Sequence, residues 1–251
     1  IYPYLPGDLK KIIRKNQNLF RIGLHGPDIL FYYMTRPVVT GTGIGMHHED
    51  AAHFFERGME CVRREKDPAL MAYMLGFGCH YILDSTCHPY VNKVAKKGRV
   101  SHTLLEKEYD RMLMYETGKN PSRFYPSHGI KAKYFAAKTI HKVLPEIRTS
   151  NIYLSLKMMK IFTNLLVCDD GGLKKKMSEH AFSPAGKRRA AFITEFFMSP
   201  EPEVDCHEEL LKLDGLIEEA LGKAPDMLEE LAALAVRPGH LSDRWNLTFN
   251  G

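Results

Sequence analysis

The sequence predicts an all-α fold, read as a single multi-helix domain over residues 1–251. Two observations predict it: apolar residues recur at helical spacing through most of the chain, and alternating β-branched runs between turns are scarce. In chain order, Tyr73, Met74, Phe77, Tyr81 and Leu83 crowd one helical segment, and Leu104, Leu105, Tyr109, Met112 and Leu113 mark the next. Residues 152–167 carry Leu154, Leu156, Met158, Ile161, Leu165 and Leu166. Leu210, Leu211, Leu213, Leu216 and Ile217 mark a late helix ending near Gly222, and a short last one covers Met227 to Val236, stopped by Pro238 and Gly239. Pro37 to Gly45 is the best strand candidate, although Thr40-Gly41-Thr42-Gly43 reads more like a loop. Loops are expected near 35–46, 89–100, 118–128 and 169–187, and no internal repeat is visible.

Composition narrows the functional classes. The chain has 251 residues, 44% of them hydrophobic, enough for a well-buried core and too many for default disorder. No apolar run is long enough to span a membrane. The formal charge of +5 is modest, and no specific nucleic-acid motif is present. Basic residues cluster at Lys174, Lys175, Lys176, Lys187, Arg188 and Arg189, read as a solvated loop, with a phosphate- or headgroup-seeking patch as the alternative. The five cysteines, Cys61, Cys79, Cys87, Cys168 and Cys206, are scattered and form no CxxC, so free thiols and a cytoplasmic location are expected. The chain opens at Ile1 rather than Met, without a visible signal peptide, which leaves room for an upstream segment. Asn246-Leu247-Thr248 fits a glycosylation sequon, set aside because free cysteines argue against secretion.

The chemistry lies in the histidines, twelve in number. His80 and Asp84 form an H-x-x-x-D pair, and His102 and Glu106 repeat the device as H-x-x-x-E. On a helix these residues lie one turn apart on one face, so an imidazole and a carboxylate can grip one cation. His88 lies one further turn beyond Asp84, His47 and His48 stand together upstream, and Asp28 sits in Gly26-Pro27-Asp28. One such pair is most simply a surface ion pair. Two within 27 residues, flanked by apolar side chains, are costly to bury unless they bind metal. Zinc accepts imidazole nitrogen and carboxylate oxygen, and a set without cysteine leaves a position for water or substrate. Ions ~3.5–4 Å apart suit in-line phosphoryl displacement, in which a metal-bound water attacks phosphorus. The expected fold is therefore all-α with a metal cluster between core helices.

The order of motifs resembles the zinc-dependent phospholipase C family, which shares its site with the S1/P1 nucleases. The resemblance covers residues 19–111 and rests on Gly23-Leu-His-Gly-Pro-Asp28, Met46-His-His-Glu-Asp50, Gly78-Cys-His-Tyr-Ile-Leu-Asp84, His88-Pro89 and Ser101-His-Thr-Leu-Leu-Glu106. Thirteen residues separate His88 from His102, as in the family. The resemblance implies two or three zinc ions, with His88, His102 and Glu106 on one and Asp28, His47, His80 and Asp84 on a second. Asp84 resembles a bridging carboxylate, and Asp28 a ligand or general base. His48 stands as the alternative to His47. The implied substrate is a phosphate ester, either a phospholipid headgroup ester or another phosphodiester. Family members have five residues between the Asp and the next His; here Ser85, Thr86 and Cys87 make three, which lets the helix continue to His88. The family's amino-terminal amine and nearby histidine have no counterpart before His25, read as a secondary or surface group, and the length leaves no room for a carboxy-terminal lipid-binding sandwich.

Other residues are read as structural: Cys79 and Cys87 as packing, His53 as helix surface, Trp245 as a packing anchor, and Phe54, Phe55, Phe196 and Phe197 as core. His128, His141, His180, His207 and His240 have no partner at ligand spacing. Two rival functions remain open. A helical HD-type phosphohydrolase would need a His-Asp dipeptide, which His48-Glu49-Asp50 is not, and a non-catalytic helical protein would keep a vestigial metal site.

Overall fold

The computed structural model describes residues 2–167, 177 and 195–251. The basic cluster, Cys168, His180 and the loop at 169–187 fall, but for Met177, outside the described residues. Among the described residues the regular elements are all helical, with one isolated bridge between Val167 and Met198. The α-helices are α1 (Gly7–Lys15), α2 (Gln17–Gly23), α3 (Pro37–Met46), α4 (Ala51–Glu65), α5 (Pro68–Lys96), α6 (His102–Glu116), α7 (Tyr134–His141), α8 (Thr149–Leu165) and α9 (His207–Ala233), and a 3-10 turn covers Gly26–Leu30. None of the described helices is long and apolar enough to cross a membrane.

Local sequence explains the starts. Asp50 caps α4 by accepting from the Ala52 N–H at 2.9 Å, and Ser101 caps α6 by accepting from the Leu104 N–H at 3.1 Å. Asp67 does the same for α5 through Ala69 and Leu70.

Three sequence expectations are corrected. Residues 37–46, read as strand or loop, form α3: Pro37 fits the first helical turn, where its missing N–H is not needed, and Val39, Gly43 and Met46 turn one face inward. The loop expected at 89–100 is largely helix, because α5 runs through Pro89 to Lys96. The two late helices are one, with Gly222 and Pro225 inside α9, since burial of Ala220, Ala224, Met227, Leu228 and Leu231 along one face outweighs weak local propensity.

The chain separates into two compact units, Ile1–Pro89 with His128–Lys160 and Leu216–Gly251, and Tyr90–Ser127 with Ile161–Gly215. The first is built on an aromatic nucleus. Phe55 lies 4.6 Å from Trp245 and 5.8 Å from Phe77, and Trp245 stacks on Tyr81 at 5.2 Å. Phe55, Phe77, Tyr81 and Trp245 have no exposed surface, and full burial of a side chain such as Phe contributes up to about 3 kcal/mol. The second unit buries Val91, Val94, Leu105, Tyr109, Phe197, Leu210 and Leu213, and Tyr109 donates to Asp214 at 2.7 Å.

A candidate metal centre

In the first unit three segments deliver site residues. Gly23 ends α2 against α5 so closely that a Cβ there would stand 2.3 Å from the Tyr73 carbonyl oxygen. Gly26 then adopts φ +49, and a Cβ on it would overlap the His80 ring, so glycine is required twice over. This turn presents Asp28. The end of α3 presents His47, which stacks on Phe31 at 5.3 Å, while its neighbour His48 is exposed. From α5 come His80 and Asp84, both buried, and His88 one turn on.

The distances are short. His47 Nε2 lies 3.1 Å from Asp28 Oδ1, His80 Nε2 lies 3.0 Å from Asp84 Oδ2, and His88 Nδ1 lies 3.8 Å from the same Asp84 oxygen. Asp28, His47 and His80 each offer a ligand atom within 4.8 Å of the others. In the second unit His102 Nε2 lies 3.0 Å from Glu106 Oε1, and both side chains are more open. Two ligands ~2.1 Å from one zinc at a tetrahedral angle stand ~3.4 Å apart, so each pair needs little movement to share an ion.

The imidazoles share one orientation. His47 Nδ1 meets the Gly43 carbonyl at 2.8 Å, His88 Nδ1 meets the Phe249 carbonyl at 2.9 Å, and His102 Nδ1 meets the Asn92 Oδ1 at 3.0 Å. These oxygens only accept, so Nδ1 carries the hydrogen and Nε2 becomes the lone-pair atom of each neutral ring. His80 hydrogen-bonds the Leu24 backbone, and its buried Nε2 faces Asp84 Oδ2 at 3.0 Å. A backbone or amide oxygen behind the ring, with Nε2 turned toward carboxylates, is how ligating histidines are held.

Electrostatics agree with a cation site. Burial alone would lower the proton affinity of His80, but Asp84 and Asp28 outweigh it and raise its pKa to about 9. The pocket demands positive charge, and a divalent ion can take the proton's place. His25 is pushed the other way by burial, partly offset by Asp28 and reinforced by His80. Burial, with Asp28 adding to it, lifts Tyr32 to about 12. The donor set, imidazole Nε2 atoms facing carboxylate oxygens, therefore fits zinc.

The family model for zinc dependent phospholipase C matches residues 1–156. The chain belongs to the zinc-dependent phospholipase C family. No curated protein and no solved structure matches it. In this family member Cys61, Cys79, Cys87 and Cys206 are buried, and Phe54, Phe55 and Phe197 are core, whereas Phe196 is exposed. His53, His128, His207 and His240 are exposed. Asn92, Phe249 and Asn250 stand behind site residues without having been singled out by sequence. Asn92 lay in a segment read as loop, so its register against His102 was hidden, and nothing in the sequence marks a backbone carbonyl such as that of Phe249 as a site group.

Proposed function

We propose that this chain is a zinc-dependent phosphodiester hydrolase of phospholipase C type. The observation that carries the reading is the common orientation of four imidazoles, with Nε2 turned to Asp28, Asp84 or Glu106 in three of them. In this reading Asp28, His47, His80 and Asp84 hold one ion, and the family resemblance assigns His88, His102 and Glu106 to another. Zinc there would act as a Lewis acid on the phosphoryl oxygens and lower the pKa of water toward ~7. The protein's own part is positional. The backbone carbonyls of Gly43 and Phe249 fix the rings of His47 and His88, and Asn92 fixes His102. Asp28, the more exposed partner of its pair, is the candidate proton acceptor at the site as well as a ligand.

A phospholipid is the substrate this surface favours. Helix α3, which leads directly into His47, has no charged residue, and its threonines turn their hydroxyls back onto carbonyls of Arg36, Pro37 and Val38. Val38 is nevertheless 79% exposed and Ile44 54%, with Met34 also exposed just before the helix. An apolar rim beside the site gives acyl chains a place to lie. The buried thiols of Cys61, Cys79 and Cys206, which form no disulfide, support a reducing, cytoplasmic setting. The test is a side-by-side assay of zinc-loaded protein on phosphatidylcholine, nucleotide and single-stranded nucleic-acid esters. Release of a phosphorylated headgroup, lost on chelation and restored by zinc, is the expected result. Hydrolysis of nucleotides or nucleic acid alone would overturn the lipid assignment, and no hydrolysis by zinc-loaded protein would leave a vestigial site.

A further inference from the structure

The segment 244–251 has no α-helix of its own; Arg244 and Trp245 tie it to Glu230, and several of its other polar groups go to the site or to its immediate support. The Phe249 carbonyl accepts from His88 Nδ1 at 2.9 Å, and Asn250 Nδ2 donates to the His47 carbonyl at 2.9 Å. The Phe249 ring, 1% exposed, lies 5.4 Å from the His47 ring and 5.8 Å from that of His80. One residue from His80, the Tyr81 hydroxyl donates to the Arg244 carbonyl at 2.9 Å and accepts from the Leu247 N–H at 3.3 Å. The Leu247 carbonyl accepts from Ala51 N–H at 3.2 Å, just beyond His47 and His48. Within the segment, only a 3-10 turn at Asp243–Trp245 and a small turn through Thr248 hold the backbone locally.

Ordinary packing would require the Phe249 and Trp245 rings but not these polar contacts. The main-chain carbonyl of Phe249 decides which nitrogen of His88 carries the hydrogen, and Asn250 anchors the backbone that carries His47. We propose that residues 244–251 act as a clasp in which Phe249 and Asn250 position His88 and His47, so that loading zinc and docking this segment strengthen each other. The inference rests on the zinc reading above and adds a regulation of that site: metal retention is set by a short segment far away in sequence. Reciprocity then requires that zinc tighten the segment as much as the segment tightens zinc.

The experiment uses the full chain. Hydrogen exchange over 244–251 is compared in zinc-loaded and chelated protein, and zinc affinity is measured by chelator competition for wild type, Asn250→Ala and Asn246→Ala. Asn246 belongs to the same segment but its side chain bonds Asp243, so it serves as the control. The expected result is faster exchange on zinc removal and zinc affinity about tenfold weaker in Asn250→Ala, the range for groups that orient ligands. Asn246→Ala should match wild type. Zinc-independent exchange, unaltered affinity in Asn250→Ala, or equal weakening in both variants would overturn the clasp while leaving zinc binding intact. Failure of wild type to bind zinc at all would instead remove the reading beneath it.

Discussion

The same device occurs in two regions with different surroundings. His80–Asp84 and His102–Glu106 share their spacing and their 3.0 Å separation, and both rings are anchored from behind. The first pair has side-chain exposures of 9% and 12%, the second 35% and 46%. Helix geometry fixes the grip, and burial fixes what an empty grip costs. In the buried pair, charge is poorly screened, so a cation gains more by entering; in the open pair, water and salt supply much of that compensation. On the proposed zinc reading, the buried region would hold the tighter ion and the open region the exchangeable one.

The largest expected effect breaks the buried grip. Asp84→Ala should reduce phosphodiester hydrolysis by at least ~10³-fold, beyond the loss typical of groups that only orient ligands. Glu106→Ala should cost less, and added zinc should restore part of its rate, because an open site can be refilled by water and ion; steady-state assays across zinc concentrations check both. A smaller effect sharpens the electrostatic side of the contrast. In chelated protein the His80 pKa is raised to about 9 from 6.5, so its stabilising charge is fully present below 6.5 and lost as pH rises through about 9. The loss is up to about 3 kcal/mol, read as a falling thermal midpoint. Zinc should reverse the trend, since ligating imidazoles must be deprotonated and the ion is released on acidification. The smallest effect tests the rim of α3. Val38→Glu should leave the thermal midpoint within experimental scatter, given 79% exposure, and reduce hydrolysis of phosphatidylcholine vesicles about tenfold, with cleavage of a soluble, short-chain phosphodiester unaltered.

Legibility in the sequence followed the same contrast between local spacing and tertiary surroundings. His80, Asp84, His102 and Glu106 could be paired because one helical turn is a local rule, and the three-residue gap before His88 matched a helix that does continue. Helix α3 was obscured because Thr40-Gly41-Thr42-Gly43 looks like breakers, and only its seat on the 26–30 turn makes Gly43 useful. The choice between His47 and His48 was open in sequence; packing against Phe31 and Phe249 turns His47 toward Asp28 and leaves His48 at the surface. Asn92 and Asn250 had no local signal, since each acts on a residue brought close only by folding.

Zinc titration with a competing chromophoric chelator, run on wild type, Asp84→Ala and Glu106→Ala, tests the central claim most directly. The account predicts two classes of zinc in wild type, with the tighter class missing in Asp84→Ala and the weaker missing in Glu106→Ala. Full retention of the tight class by Asp84→Ala would contradict it.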